Sequence, residues 1–449
     1  MKINKRIVVL LFLALLTACS RNTEKDRAEP DLPADTQQIT ELETKEPENS
    51  EPEDNDELFD FIMGKWKTGD TKDLHPYLSD EILSLCDSGT FSYMFESITD
   101  TFGEIVTNNE PQITSAGGID VYTAAVHLEH ADVDISLSLK DTKIYGFSRD
   151  IRFNGEFDVT GNGIREHYFQ LNGLNAVYTC AEGSESAPAV LMISGSGPSD
   201  YNATIGILCP MEDLALGLAE YGISSLRFEK RTFRFPDEFQ ATDGIEEEYL
   251  KDCRGALSYL KEQQNTDGLY LLGHSLGGQI AAALAAEDDS VDGMILLMST
   301  ARHLADICYD QYTAVQPSGA EEFAKQRDAA KAQSGDTASG QYSYFGASDA
   351  YWASYNTLNT IESIRIAAIP TAIINSTSDN QIFAADISLW TESFANDQNV
   401  TLTVFEDMSH FGYKIDTRDQ SQLYKPAEMP DELIDIIVQT INRDKNNLI

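Results

Sequence analysis

The chain has 449 residues, with 32 Lys and Arg against 74 Asp and Glu, a formal charge of −42 at neutral pH. That length allows two to three domains of about 150 residues each, and a hydrophobic content of 42% supplies a substantial core. So acidic a surface repels phosphate polyanions and anionic lipid headgroups, which argues against nucleic-acid binding and polybasic membrane docking.

Lys2, Lys5 and Arg6 precede an apolar run from Ile7 to Leu16. The run falls short of the about 20 residues needed to span a bilayer and has the pattern of a secretory signal. It ends in Leu16-Thr17-Ala18-Cys19, which resembles the cleavage box of bacterial lipoproteins. The resemblance implies a lipoprotein signal peptide over residues 1–19, a diacylglyceryl group on Cys19, and anchoring on the extracytoplasmic face of the cell membrane. Two acyl chains hold a protein on a bilayer without any basic patch. Residues 20–57 carry fourteen acids against four bases, with four prolines and no aromatic residue. Ordering them would bury almost nothing, so a disordered acidic linker extended by self-repulsion is expected. Five cysteines follow Cys19, with no Cys-x-x-Cys spacing. An odd number cannot all pair within one chain, so free and mostly buried thiols are expected.

Over 58–152 the pattern predicts a small α+β domain. Helical spacing marks Leu58–Trp66, Asp80–Cys86 and Phe91–Phe102. Val133, Ile135, Leu137 and Leu139 then alternate with polar residues, the mark of a strand with one buried face. Val121–Leu128 and Lys143–Phe147 read as its neighbours. The unit resembles the small domain of nuclear-transport-factor type at the front of some Gram-positive lipoproteins. His75, His127 and His130 stand there without clustered carboxylates, and no metal is expected. Asp158-Val-Thr160-Gly-Asn162-Gly163 matches a calcium loop poorly, because Thr160 and Phe169 stand where Asp or Asn and Glu are required. A hairpin turn through Asn162-Gly163 accounts for the same residues.

From 160 to 449 short β-rich runs alternate with amphipathic helices. Strands are predicted at Ala189–Ser194, Ile223–Phe228, Leu269–Leu272, Val291–Met298, Thr371–Asn375 and Thr401–Phe405. Helices are predicted at Met211–Tyr221, Ile245–Gln263, Gly278–Ala286 and Ile387–Phe394. Such alternation predicts an α/β domain with a mostly parallel central sheet covered by helices on both faces. Its length leaves room for an inserted lid over 302–365.

Gly273-His274-Ser275-Leu276-Gly277 follows one predicted strand and opens a predicted helix. On a sharp strand-to-helix turn the residues two before and two after the serine crowd together, so only glycine fits without a Cβ clash. This Gly-x-Ser-x-Gly in its context resembles the nucleophile elbow of the α/β-hydrolase fold. The resemblance implies a Ser–Asp/Glu–His order of catalytic residues. After Ser275 the chain holds two histidines, and His410 follows a predicted strand where the family places its base. His303 borders the lid and is read as non-catalytic. Asp379, just past the strand Thr371–Asn375, is the matching acid, with Asp386 and Asp407 as alternatives.

The resemblance further implies an oxyanion hole, here from the backbone N–H of Leu276 and of Ser196 in Gly195-Ser196-Gly197-Pro198. Phe228-Glu229-Lys230-Arg231-Thr232 departs from the family's usual pattern and is read as a structural turn beside the site. Nine aromatic residues over 309–355, about twice the chain's average density, suggest an apolar, aromatic surface over the pocket. Packing of the insertion's own helices accounts for them nearly as well. The expected activity is a serine esterase acting on a small neutral carboxylic ester, without cofactor. A peptidase similar to the prolyl-oligopeptidase group and a non-catalytic tethered binding protein are the alternatives.

Overall fold

The computed structural model describes residues 51–446, except 185, 264, 265, 336 and 337. The expected signal peptide, Cys19 and most of the expected acidic linker lie outside the described residues. Within them, the first helix opens at Asn55, so the last three residues of the segment expected as linker are helical. Asp54 caps that helix by accepting from the Glu57 N–H at 2.9 Å, which outweighs the charge-driven tendency to extend. No helix among the described residues is long and apolar enough to cross a membrane.

The described residues form two compact units. The smaller, 51–129 with 133–150, carries helices Asn55–Thr68, Asp80–Leu85 and Ser88–Phe102, capped by Asp54, Ser79 and Asp87. Its strands are β1 (Ile105–Asn108), β2 (Gln112–Ala116), β3 (Ile119–Leu128), β4 (Ala131–Lys140) and β5 (Lys143–Phe153), in the order β1-β3-β4-β5 with β2 also on β3. Val133, Ile135, Leu137 and Leu139 of β4 are fully buried while the residues between them are not, the alternation expected of a half-buried strand. Rings fill the same unit, Phe95 lying 4.5 Å from Phe147 and 5.4 Å from Trp66.

The larger unit, 151–446 with 130–132, is built on nine strands. These are β6 (Phe157–Gly161), β7 (Ile164–Leu171), β8 (Leu174–Ala181), β9 (Ala187–Ile193), β10 (Ser224–Phe228), β11 (Thr266–His274), β12 (Gly293–Leu297), β15 (Thr371–Ser376) and β16 (Val400–Phe405); β13 (Ser343–Tyr344) and β14 (Ala347–Ser348) form a separate hairpin. The order is β16-β15-β12-β11-β9-β10-β8-β7-β6. The six strands from β16 to β10 run parallel. β8, β7 and β6 join them antiparallel through two hairpins. Both turns are Asn-Gly pairs with positive φ at each residue, 53° and 77° at Asn162-Gly163 and 55° and 80° at Asn172-Gly173. Asp158 sits in the first hairpin bonded to His167, which explains the residues of the calcium-like stretch.

Alternation along the central strands sends side chains to two cores. In β9, Ala189, Leu191 and Ile193 enter one core and Val190 and Met192 the other. Helices Lys251–Glu262 and Leu276–Glu287 close the first core with Leu257, Leu260, Ile280 and Leu284. Helices Pro210–Glu220 and Asp431–Asn446 close the second with Leu214, Leu218, Leu433 and Ile437. The helix predicted over 245–263 opens with a π-helical turn, Glu246–Leu250, before its α-helical body. Among the described residues five cysteines are free, and Cys86, Cys180, Cys253 and Cys308 are buried.

Between β12 and β15 lies the expected insertion, with helices Leu304–Val315, Ala320–Lys331, Asp349–Tyr355 and Thr360–Ala367. Its aromatic richness is mostly internal packing rather than a presented surface. Phe345, Tyr351, Trp352 and Tyr355 are buried, with Trp352 edge-on to Tyr351 and Tyr355 at 6.1 and 5.8 Å. These rings join the core that Leu257, Leu260, Ile280 and Leu284 close over the sheet.

Candidate active site

Ser275 follows β11 and stands at the N-cap of the helix Leu276–Glu287, with φ 55° and ψ −122°. A left-handed backbone at a non-glycine residue costs about 1–3 kcal/mol and persists only where the surroundings impose it. They do so here. The Ser275 N–H donates to Leu297 O at 2.9 Å, and its carbonyl accepts from Ser299 Oγ at 2.8 Å and the Gly278 N–H at 3.1 Å. A Cβ on Gly273 would stand 2.2 Å from Gly277 O, and one on Gly277 would stand 2.3 Å from Ile193 O. Both glycines are therefore required by the turn.

His410 and Asp379 are bonded, Nδ1 to Oδ2 at 2.7 Å, and both side chains are almost wholly buried. A carboxylate only accepts, so His410 carries its proton on Nδ1 and leaves Nε2 as the basic atom. Oδ1 of Asp379 accepts from the N–H groups of Gln381 and Ile382 at 2.7 and 3.0 Å, which fixes the carboxylate. Among the described residues Ser275 forms no hydrogen bond with His410; the two side chains line one cleft. Such contacts are commonly looser without substrate.

The alternative acids have other work. Asp386 is buried at the start of helix Ala384–Phe394, where it accepts from Thr300 Oγ1 and, at 2.8 Å, from the Phe383 N–H, with Arg302 3.4 Å away. Asp407 is exposed and faces Lys414 at 3.6 Å. His303 caps the helix Leu304–Val315: its Nδ1 accepts from the Ala305 N–H, so Nε2 donates to Asn356 Oδ1 at 2.7 Å. Burial lowers its pKa and keeps it neutral.

Leu276 opens its helix, so its N–H is among the first four that lack an intrahelical acceptor. Ser196 shares both cavity walls with Ser275. The loop is pressed against the elbow, since a Cβ on Gly195 would lie 3.0 Å from Ser275 Cβ. Sequence reasoning missed what holds that loop. Tyr249 Oη donates to Gly195 O at 2.5 Å, and Lys230 Nζ approaches the same carbonyl at 3.3 Å. Lys230 is buried, ion-paired with Glu248, and 3.8 Å from the Tyr249 ring centroid. Burial lowers its pKa. The Gly195 carbonyl and the Ser196 N–H belong to one planar peptide, so two donors on the carbonyl set the direction of the N–H. Lys230 is the Lys of the departing Phe228–Thr232 stretch, which is more than a turn.

A second residue that sequence reasoning passed over is His274. Its Nε2 meets the backbone oxygen of His410 at 2.8 Å, and burial drives its pKa down to about 3.

Two cavities meet at Ser275. One, of about 50 Å³, is walled by Leu304, Ile307, Cys308 and Tyr312 of the insertion together with Leu276 and Ile382. The other, of about 410 Å³, contains His410 and is walled by Asp200, Thr204, Phe233, Asn380 and Tyr424 among others. Of the nine aromatic residues over 309–355, Tyr312 reaches a cavity beside Ser275. No group of three His, Cys, Asp or Glu among the described residues could hold a metal ion.

The family described as serine aminopeptidase, S33, matches residues 242–321, the segment from the π-helical turn through the elbow into the insertion. Esterase EstD of Thermotoga maritima is 26% identical over 298 residues, 65% of this chain and 72% of EstD. Among solved structures, Est1E from Butyrivibrio proteoclasticus is 14% identical with TM-score 0.40, over 65% of this chain and all of that one. A Pyrococcus furiosus esterase is 15% identical with TM-score 0.40, over 64% and 91%. With its strand order, its parallel core and the left-handed serine between β11 and its helix, the chain has the α/β-hydrolase fold, with a small α+β unit before it in sequence.

Proposed function

We propose that this protein is a serine esterase that cleaves a neutral carboxylic ester by way of an acyl-enzyme. The observation that carries this reading is the strained, half-buried Ser275 in one cleft with an imidazole whose other nitrogen is locked on Asp379. A serine hydroxyl is a weak nucleophile near neutral pH and needs such a base. As Ser275 Oγ bonds to the ester carbonyl carbon, its proton passes to His410 Nε2. The carbonyl oxygen becomes an oxyanion, met by the N–H groups of Leu276 and Ser196. Collapse breaks the bond to the alcohol oxygen, which takes the proton from His410 and leaves. Water then repeats the cycle on the acyl-enzyme and frees the acid. Asp379 stabilises the imidazolium at each stage.

Similarity to EstD supports an ester as substrate. The acidic surface supports a neutral one. Signal and box at residues 1–19 support a lipid anchor at Cys19 and action on the extracytoplasmic face of the membrane. Replacing Ser275 with Ala should abolish hydrolysis of p-nitrophenyl acetate by about a millionfold, as for comparable serine enzymes. A fluorophosphonate should label wild-type protein at Ser275; unchanged activity in Ser275→Ala, or no labelling, overturns the reading. The description of the matched family favours a second reading, cleavage of an N-terminal peptide bond. Aminoacyl p-nitroanilides beside the ester discriminate, since a peptidase prefers the anilide.

A further inference from the structure

We infer that the substrate is a short-chain acyl ester of a bulky, neutral, hydroxyl-rich alcohol such as a sugar. This rests on the serine-esterase reading and assigns the two cavities beside Ser275. The assignment follows from where the proton must go. The leaving alcohol oxygen has to take a proton from His410, so the alcohol occupies the cavity that contains His410, the larger one. The acyl group then points away from His410, into the cavity that Ser275 shares with Leu304, Ile307 and Tyr312.

Size and polarity follow. A cavity of about 150 Å³ holds a benzene ring, and the acyl side offers about 50 Å³. That is room for two or three carbons, and the surface it presents is mostly apolar although Gln279, Thr300, Gln311 and Gln381 also stand in its wall. The alcohol side offers about 410 Å³, within the range of about 300–1,000 Å³ typical of small-molecule sites. Neutral donors and acceptors line it, among them Thr204, Asn380 and Gln420, with apolar Phe233, Leu423 and Tyr424 between them. Amides and hydroxyls interspersed with rings suit a polyol whose ring faces are apolar and whose rim is hydroxylated. Among the described residues of this wall there is no Lys or Arg, and Asp200 adds a carboxylate held by the Asn202 and Thr204 N–H groups at 3.2 and 2.8 Å. An anionic alcohol therefore meets repulsion without compensation.

The test uses the full chain with p-nitrophenyl acetate, butyrate and octanoate, then with a methyl O-acetyl-glucoside, an O-acetyl-glucuronate and ethyl acetate. We expect kcat/KM to fall at least tenfold from acetate to octanoate. The octanoate-to-acetate ratio should rise at least fivefold in Ile307→Ala, or in Cys308→Ala should the former not fold. The neutral sugar ester should exceed the uronate and ethyl acetate at least tenfold each. A wild-type preference for octanoate overturns the acyl assignment, and equal rates on sugar ester and uronate overturn the alcohol assignment. Fluorophosphonate labelling separates the two levels: a protein labelled at Ser275 that prefers octanoate sinks this inference alone, and an unlabelled one sinks the esterase reading beneath it.

Discussion

His274 Nε2 donates to the backbone oxygen of His410 at 2.8 Å, so the residue before Ser275 holds the loop that carries His410. A carbonyl oxygen only accepts, so His274 carries a proton on Nε2, and a neutral ring then has Nδ1 bare. Burial enforces this by lowering the pKa to about 3, against about 6.5 for an unfolded histidine.

The sign of the resulting pH dependence is fixed. Between those two values the unfolded chain binds a proton that the native one refuses, so stability rises with pH. This contribution is complete above pH 6.5 and lost progressively down to pH 3, by up to about 1.4 kcal/mol per pH unit. Urea unfolding at pH 7, 6, 5 and 4 should show a shallower loss in His274→Gln than in wild type, by up to one proton. Equal slopes would mean that His274 is charged in the native state.

Asp379→Asn should lower kcat by about 10⁴, since an amide that donates to His410 Nδ1 imposes the wrong tautomer. Asp386→Asn should leave kcat within a few-fold and lower Tm, because its carboxylate ties helix Ala384–Phe394 to Thr300. Steady-state kinetics and thermal melts on both variants check the pair, and a reversal of the two effects exchanges the acids.

Tyr249→Phe removes one donor from Gly195 O and leaves the ring in place. The expected result is kcat lowered about tenfold with KM within twofold, since a misdirected Ser196 N–H matters only once the oxyanion exists. Lys230→Met should act in the same direction, with added loss of stability because Glu248 is left buried without its partner. If KM rises while kcat holds, the clamp serves substrate binding and not the oxyanion.

Gly277→Ala should destabilise the fold by about 3 kcal/mol. Its new Cβ meets backbone oxygens of Ile193 and Ser194 at 2.3 and 2.7 Å, which no side-chain rotation relieves. Denaturant midpoints check this, and a change below about 1 kcal/mol means that β9 can move aside.

Legibility followed the range of the interactions. The elbow was readable because its pattern lies within five consecutive residues, although the crowding at Gly277 comes from Ile193 and Ser194 at the end of β9, and the parallel strands because each is a short apolar run between helices. Of the antiparallel strands, the hairpin turn at Asn162-Gly163 implied β6 and β7 without giving their bounds, and β8 went unread. They mix polar and apolar residues, and the informative signal was a second Asn-Gly, at 172–173, that matches the one at 162–163. The Lys230–Tyr249 clamp and the His274 bond were beyond reach, since both join elements distant in sequence through a backbone carbonyl that has no side-chain signature. Aromatic density over 309–355 was visible, yet composition alone does not say which way a ring faces.

Half of the wall of the smaller cavity comes from one uninterrupted stretch between β12 and β15, whereas Ser275, Asp379, His410 and Lys230 stand in loops that follow strands of the sheet and Tyr249 on the π-helical turn. On the proposed assignment, acyl selectivity and reactivity are encoded largely in separate stretches of the gene. Exchange of that single stretch by recombination would retune which acids are released and leave the bond-breaking apparatus as inherited.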